Sequence, residues 1–283
     1  MRGSYDIIYL MKLQFKIDDR YLIHFASKRY HSKPANFDLF LPWTPLVDRI
    51  HKKYRDTPAY YFLNFSNNEH ISWASEELLI TSAFPGKSFG STFCKIVSGM
   101  ERIYNDIRRS KEFKQLRKET EQHLLQISKQ WNLNKKFALS FIQEVTGITL
   151  PNKTITVFIT HPKLANGRAL AAHNAILWGH EEDWKNYHTV YLCHELMHIL
   201  TKEKQGNEKI MHSLTELITD NELRIRLNHT EDYFNEGGHL VGHKDLQELE
   251  QKILPIWQDY LAGKLKAKNI FELEKYIIKK GIA

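Results

Sequence analysis

The chain has 283 residues, of which 42% are hydrophobic and 26% are charged, and this composition is typical of a soluble globular protein. The length allows one large domain or two ordinary ones. With 13 glycines and 8 prolines, the chain is not collagen-like and holds no long disordered architecture. Its 2 cysteines form no CxxC pair, which excludes a disulfide framework, zinc fingers and thioredoxin-like chemistry.

The net charge of +7 is modest and spread along the chain, so it does not by itself indicate nucleic-acid binding. Basic residues in the segment 102–118 interleave with acidic ones, which predicts a solvated, salt-bridged helix face and no nucleic-acid partner. The apolar run 5–11 is short and contains Asp6, and no stretch approaches the roughly 18 apolar residues of a membrane span. We therefore expect no signal peptide, no membrane association and a cytoplasmic location.

Three regions follow one another along the chain. Residues 1–97 are predicted to form a mixed α/β region without a recognisable motif, and residues 98–147 a helical segment interrupted at 131–134. In the region 148–283, the β-branched run 154–160 is the clearest strand, and 171–179 is a second candidate. From about His188 the pattern is mostly helical, with a loop at Gly237-Gly238.

The segment 189–200 contains His194-Glu195-Leu196-Met197-His198, the pattern HExxH, between apolar flanks that predict a buried helix. Buried polar groups must be paired or bound to a metal ion. Because positions four apart share one helix face, His194 and His198 are predicted to present two imidazoles to one ion. Glu195 is rotated by about 100° from His194, which favours a general base acting on water over a ligand.

A catalytic zinc site needs a third protein ligand. The next predicted helix, 211–227, carries Glu216 and Asp220 four positions apart on one stripe. We favour Glu216 as the ligand. Asp220 and Glu222 on the same helix and Glu208 in the preceding loop are the alternatives, and Glu222 falls on a different, solvated face.

The HExxH helix followed by a helix with the pattern ExxxD resembles the gluzincin zinc metallopeptidases, of which thermolysin is the familiar member. The resemblance covers about residues 170–230. It implies one zinc ion per chain, held by His194, His198 and Glu216. It also implies that Glu195 activates the water and that Asp220 forms a hydrogen bond with His194 that fixes its tautomer.

Two further elements are compared with the same family. The segment 174–178 reads Asn-Ala-Ile-Leu-Trp and is similar to the family's Asn-Ala-x-Trp edge strand, with the Trp one position later. This implies that Asn174 and Ala175 pair with the substrate backbone, the alternative being an ordinary edge strand. His239 and His243 are candidates for stabilising the oxyanion, as is Tyr233, and loop roles are the alternative. Packing or helix-cap roles are predicted for Tyr187, Tyr191 and His212.

These features predict an α+β fold with a zincin-like catalytic region. A small mixed sheet packs on the HExxH helix, and a mainly helical C-terminal part completes the cleft. The predicted function is that of a zinc metallopeptidase, a hydrolase acting on a peptide or protein substrate. The alternative is a zincin-fold binding or regulatory protein with a structural or vestigial metal site, which a fourth ligand from His212, His239 or His243 would favour.

Overall fold

A computed structural model describes residues 11–23, 44–60, 91–162 and 167–282, so much of the N-terminal region 1–97 lies outside the described residues. The described part is a mixed α+β structure with a small four-stranded sheet. Three strands are parallel in the order β1-β2-β4, and β3 runs antiparallel to β4 at the edge. The strands are β1 (Lys12–Lys16), β2 (Thr154–Ile159), β3 (Gly167–Leu170) and β4 (Ala175–Trp178).

Helices make up most of the remaining described chain. Their bounds are α1 (Thr44–Tyr54), α2 (Ser91–Arg108), α3 (Lys111–Thr146), α4 (Tyr187–Thr201), α5 (Glu208–Glu216), α6 (Arg224–Asn228), α7 (Gln247–Leu261) and α8 (Ile270–Lys279). A π-helical segment, Leu217–Leu223, joins α5 to α6. A short hairpin, β5 (Asn235–Glu236) and β6 (His239–Leu240), turns at the predicted loop Gly237-Gly238, where both glycines have positive φ.

The sheet is covered on both faces because its central strands alternate between two cores. Ile155, Val157 and Ile176 belong to the larger core, which also contains residues of α3, α4, α5, α7 and α8. Phe158 and Leu177 point to the opposite face and pack in a second core with residues of α2. Burial on both faces explains why β4 and the second half of β2, residues 157–159, are apolar without interruption. The HExxH helix, α4, lies on the face of the larger core.

The expected interruption of the helical segment at 131–134 is wrong. The helix α3 continues from Lys111 to Thr146, begins with the Ser110 hydroxyl accepting from the Phe113 amide at 3.1 Å, and ends at Gly147 with φ 66°. Trp131 is buried in the larger core. This packing outweighs the weak helix propensity of the neighbouring asparagines.

The basic segment 102–118 lies in α2 and the start of α3. Arg108 Nε and Arg117 Nη1 both donate to the carboxylate of Asp19, at 3.2 and 2.6 Å. Arg117 also contacts Glu121 one turn further along α3. The predicted salt-bridged helix face is confirmed at these residues. Within the described ranges, every helix is too short or too polar to cross a membrane.

Candidate metal centre

One stripe of α4 carries Tyr187, Tyr191, His194 and His198, spaced by four, three and four residues. These spacings place the side chains on a single helix face. The stripe faces α5 and the π-helical segment, and the ring centroids of His194 and His198 lie 4.8 Å apart. The predicted juxtaposition of the two motif histidines is therefore present.

The two motif histidines point at each other through their Nε2 atoms, which lie 3.0 Å apart. His194 Nδ1 lies 3.1 and 3.2 Å from the two carboxylate oxygens of Asp220. This contact leaves Nε2 of His194 directed at His198. Burial lowers the pKa of His198 to about 2, whereas Asp220 overcomes burial and raises the pKa of His194 to about 9. The surroundings of His194 therefore favour a positive charge, whereas those of His198 favour the neutral imidazole.

Glu195 is buried beside this pair. Burial raises the pKa of its carboxylate, and the nearby backbone N–H of Ala169 in β3 opposes that rise. Gly167 lies against the same carboxylate, and a Cβ at that position would meet the ring of Trp178. The edge strand therefore positions Glu195 and leaves its carboxylate close to His194.

Glu216 is fully buried at the end of α5 and is held by the loop that follows β6. The backbone N–H of His243 donates to Glu216 Oε2 at 2.7 Å, and His243 Nδ1 contacts Glu216 Oε1. Burial alone would raise the pKa of Glu216, but the His243 side chain, Glu250 and the charge of His194 together lower it below its usual range. Glu216 is thus an ionised carboxylate with His243 as its main partner.

Gly242 makes the approach of His243 to Glu216 possible. It has φ +85°, and a Cβ there would collide with the Glu216 carboxylate. Gly242→Ala is expected to destabilise the protein by about 1–3 kcal/mol. Gly238→Ala is the matched control, because Gly238 has φ +88° and open space around it. Chemical denaturation measures both variants, and equal losses would show that the Glu216 contact does not require Gly242.

His212 completes a group of four imidazoles. Its ring centroid lies 4.6 Å from that of His198, 5.4 Å from that of His194 and 4.8 Å from that of His243. Ligand nitrogens of His194, His212 and His243 all lie within 4.8 Å of one another. His212, for which a packing or cap role was predicted, therefore faces the site. His212 lies one helix turn before Glu216. This i,i+4 spacing is the feature of the sequence that could have placed His212 beside the predicted ligand.

The alternative third ligands lie elsewhere. Glu222 is buried instead of solvated, and its carboxylate accepts from Arg226 Nε at 2.9 Å and from Tyr233. The hydroxyl of Tyr233, one of the oxyanion candidates, therefore donates its hydrogen bond to Glu222. Glu208 is exposed in the first turn of α5. The structure thus leaves Glu216, His212 and His243 as the side chains near the motif histidines. Among the described residues, the ligand atoms within 4.8 Å of one another here are those of His194, His212 and His243, a group that includes neither His198 nor Glu216.

An open cavity of about 240 Å³ lies beside the motif. Its walls come from β3, β4, α4 and the loop after β6, and its lining residues are Gly167, Trp178, His180, Tyr187, Tyr191, His194, Glu195 and His243. His243, an oxyanion candidate, reaches this cavity, whereas His239 is exposed in β6 and is not among the lining residues. Tyr187 and Tyr191, predicted as packing residues, line the cavity as well.

The predicted edge strand is wrong in its position. β4 has hydrogen-bonded neighbours on both sides, and the edge strands of the described sheet are β1 and β3. Ala175 is fully buried, and Asn174 adopts a left-handed conformation in which its side chain accepts from Lys153 Nζ at 2.7 Å. Neither residue lines the cavity. A substrate backbone therefore cannot pair with them, and the edge strand of the described sheet that borders the cavity is β3.

The π-helical segment between α5 and α6 carries the second carboxylate. Asp220 lies within it, and Asn221 Nδ2 donates to the carbonyl of Glu216 at 3.1 Å. The buried guanidinium of Arg224 donates to the carbonyl of Asp220 at 2.7 Å and contacts Glu236 of the hairpin. Arg224 thus ties the hairpin loop to the helix that carries Asp220. Local π-helix is rare and is frequently found at functional sites.

The electrostatics of the site fit a divalent metal ion. Burial raises the pKa of Glu195 and of Asp220, and burial together with Glu216 raises that of Glu250 to about 10. Several buried acids close together disfavour one another's ionised forms. A divalent cation held by the imidazoles would supply the opposite charge, and imidazole and carboxylate are common metal ligands.

Comparison of the chain with protein families, with curated proteins and with solved structures finds no match in any of the three. The function of the chain is therefore inferred from the residues of the site.

Proposed function

We propose that this protein is a zinc-dependent peptidase with a zincin-like catalytic region. One observation carries the proposal: the Glu195 carboxylate and the His194 imidazole line the same open cavity. A general base must lie within reach of a water held at the metal. In the HExxH pattern the two side chains come from adjacent positions of α4, so Glu195 would lie close to a water bound at the metal.

The zinc ion would be held by His194, His198 and Glu216. When bound, zinc polarises the scissile carbonyl and lowers the pKa of water. Glu195 takes the proton of the attacking water and delivers it to the leaving amine. Its burial supports this role because a raised pKa brings a carboxylate closer to the range in which it both accepts and donates protons. Asp220 would hold the proton on His194 Nδ1 and so leave Nε2 as the nitrogen that binds the ion.

The position of the edge strand β3 is the reason to propose a peptide as the substrate. It lies next to Glu195 and borders the cavity at Gly167. An extended peptide can add to a free strand edge through main-chain hydrogen bonds. A peptide bound in this way would place its backbone across the mouth of the cavity. The oxyanion would form near His243, the predicted candidate that lines this cavity.

A second candidate function rests on the group of four imidazoles. Structural zinc sites are closed by four protein ligands, whereas catalytic sites keep one open position. His212 and His243 lie close enough to His194 to complete a closed set. In that case the protein is a binding or regulatory protein in which the metal ion stabilises the fold.

The two candidates are separated by metal content and hydrolysis measured together. The purified protein is expected to contain zinc and to cleave members of a fluorogenic peptide library. A zinc chelator should abolish cleavage, and added zinc should restore it. A protein that keeps its zinc and cleaves no peptide would support the structural metal instead. A protein that takes up no zinc from solution would contradict both.

A further inference from the structure

A second group of potential metal ligands lies outside the HExxH centre, where α3, the loop after β4 and the first turn of α4 meet. His123, Glu181 and His188 each offer one ligand atom, and these atoms all lie within 4.8 Å of one another. His123 Nδ1 lies 3.9 Å from Glu181 Oε2, and the rings of His123 and His188 meet edge to face with centroids 5.1 Å apart.

His123 is the unusual member of this group. Its side chain is 2% exposed, and among the described residues neither ring nitrogen has a hydrogen-bond partner. Gln126 lies near the ring without reaching hydrogen-bond geometry. A buried polar group left without a partner costs about 1–3 kcal/mol. A histidine with a purely structural role would donate at least one ring N–H, so this ring points to a ligand that the described residues do not supply.

The protonation states also suit metal binding. Burial lowers the pKa of His123 to about 3 and that of His188 to about 4, so both imidazoles are neutral at neutral pH. Neutral imidazole is the form that binds metal ions. Glu181 is about half exposed, and it supplies negative charge together with a path for the ion from solvent.

We propose that His123, Glu181 and His188 form a second site for a divalent transition-metal ion, separate from the HExxH centre. Two imidazoles and one carboxylate form a donor set that zinc commonly takes. The site joins three elements, so an ion there would hold the N-terminal end of α4 against α3.

Metal binding at this site changes a contact of the cavity wall. Trp178 Nε1 donates to His188 Nδ1 at 3.3 Å. An ion bound to Nδ1 of His188 would take the place of the Trp178 N–H. An ion bound to Nε2 of His188 would leave the ring proton on Nδ1, and Nδ1 could then no longer accept the hydrogen bond from Trp178. Because Trp178 also lines the cavity beside Glu195, occupancy of the second site would alter the cavity wall.

The test counts zinc per chain after the full-length protein is equilibrated with zinc and the excess is removed. Wild type is expected to hold about two ions. His123→Leu and the milder Glu181→Gln are each expected to lose one of them, whereas the control Asp183→Asn should lose none. Asp183 is an exposed acid of the same loop, and Asp183→Asn removes one negative charge just as Glu181→Gln does. Circular dichroism checks that each variant is folded.

The outcomes separate this site from the proposed peptidase centre. His198→Ala should lose one ion and leave the His123 site filled. If His123→Leu and Glu181→Gln both hold as much zinc as wild type, the second site is contradicted. If wild type holds one ion and His123→Leu holds none, the second site stands and the peptidase centre fails. If wild type takes up no zinc, both fail.

Discussion

Glu195→Gln is expected to bind zinc as wild type does and to hydrolyse peptides more slowly by a factor of about 10²–10⁴. The amide keeps the size of the carboxylate and can still accept from the N–H of Ala169. It cannot take a proton from water. Because Glu195 is not a ligand in the proposed centre, the metal site should be unchanged. The measurements are zinc content and kcat/KM on one peptide cleaved by wild type.

Glu203→Gln is the matched control, because Glu203 is an exposed acid in the turn that follows α4. It should keep both zinc and activity. Hydrolysis by Glu195→Gln at the wild-type rate would exclude Glu195 as the general base. Loss of zinc from Glu195→Gln would instead make this carboxylate part of the metal site, and a fall in activity would then say nothing about proton transfer.

The arrangement of the motif could be predicted from the sequence because it is local. The positions of His194, Glu195 and His198 around α4 follow from helix geometry, and the apolar flanks set the burial of that helix. Asp220 could be placed only by resemblance. In the structure it reaches His194 because the π-helical segment packs against α4, which is a contact between elements.

The edge of the sheet could not be predicted because strand order depends on partners that are distant in sequence. β1 pairs with β2 across about 140 residues of chain, and the prediction of a mixed α/β region over 1–97 did not locate this strand. β3 is only four residues long and contains Gly167 and Arg168, so its composition gives no strand signal. β4 was taken as an edge strand because the segment 174–178 is similar to the Asn-Ala-x-Trp edge strand of the gluzincins.

The imidazole group could not be placed from the sequence for a related reason, although His212 and His243 were named, with His239, as possible fourth ligands of a structural site. His212 and His243 lie on separate elements, α5 and the loop after β6, and no spacing rule links them to α4. His243 reaches Glu216 because Gly242 adopts a positive φ and has no Cβ. A glycine next to a histidine is common in loops, and only the packed structure shows that its small size matters here.

Glu216→Gln is expected to lower zinc affinity by more than about 100-fold, the upper end of what loss of an outer-shell partner costs. The reason is that the proposed centre loses a charged ligand, whereas the amide preserves the volume at a fully buried position. Glu222→Gln is the control and should bind zinc like wild type, because Glu222 contacts Arg226 and Tyr233 instead. A competition titration against a chromophoric chelator measures each affinity.

His243→Ala, measured in the same titration, decides what the short contact between His243 and Glu216 means. Metal-binding histidines commonly donate their other ring N–H to a carboxylate, and the structure shows this arrangement at His194 with Asp220 and at His243 with Glu216. If Glu216 is the ligand, His243→Ala should cost only about 10–100-fold, less than Glu216→Gln. If His243→Ala costs more than Glu216→Gln, His243 is the ligand and Glu216 orients it. The centre would then be built from histidines, with both carboxylates outside it, and the ligand set implied by the gluzincin resemblance would be wrong.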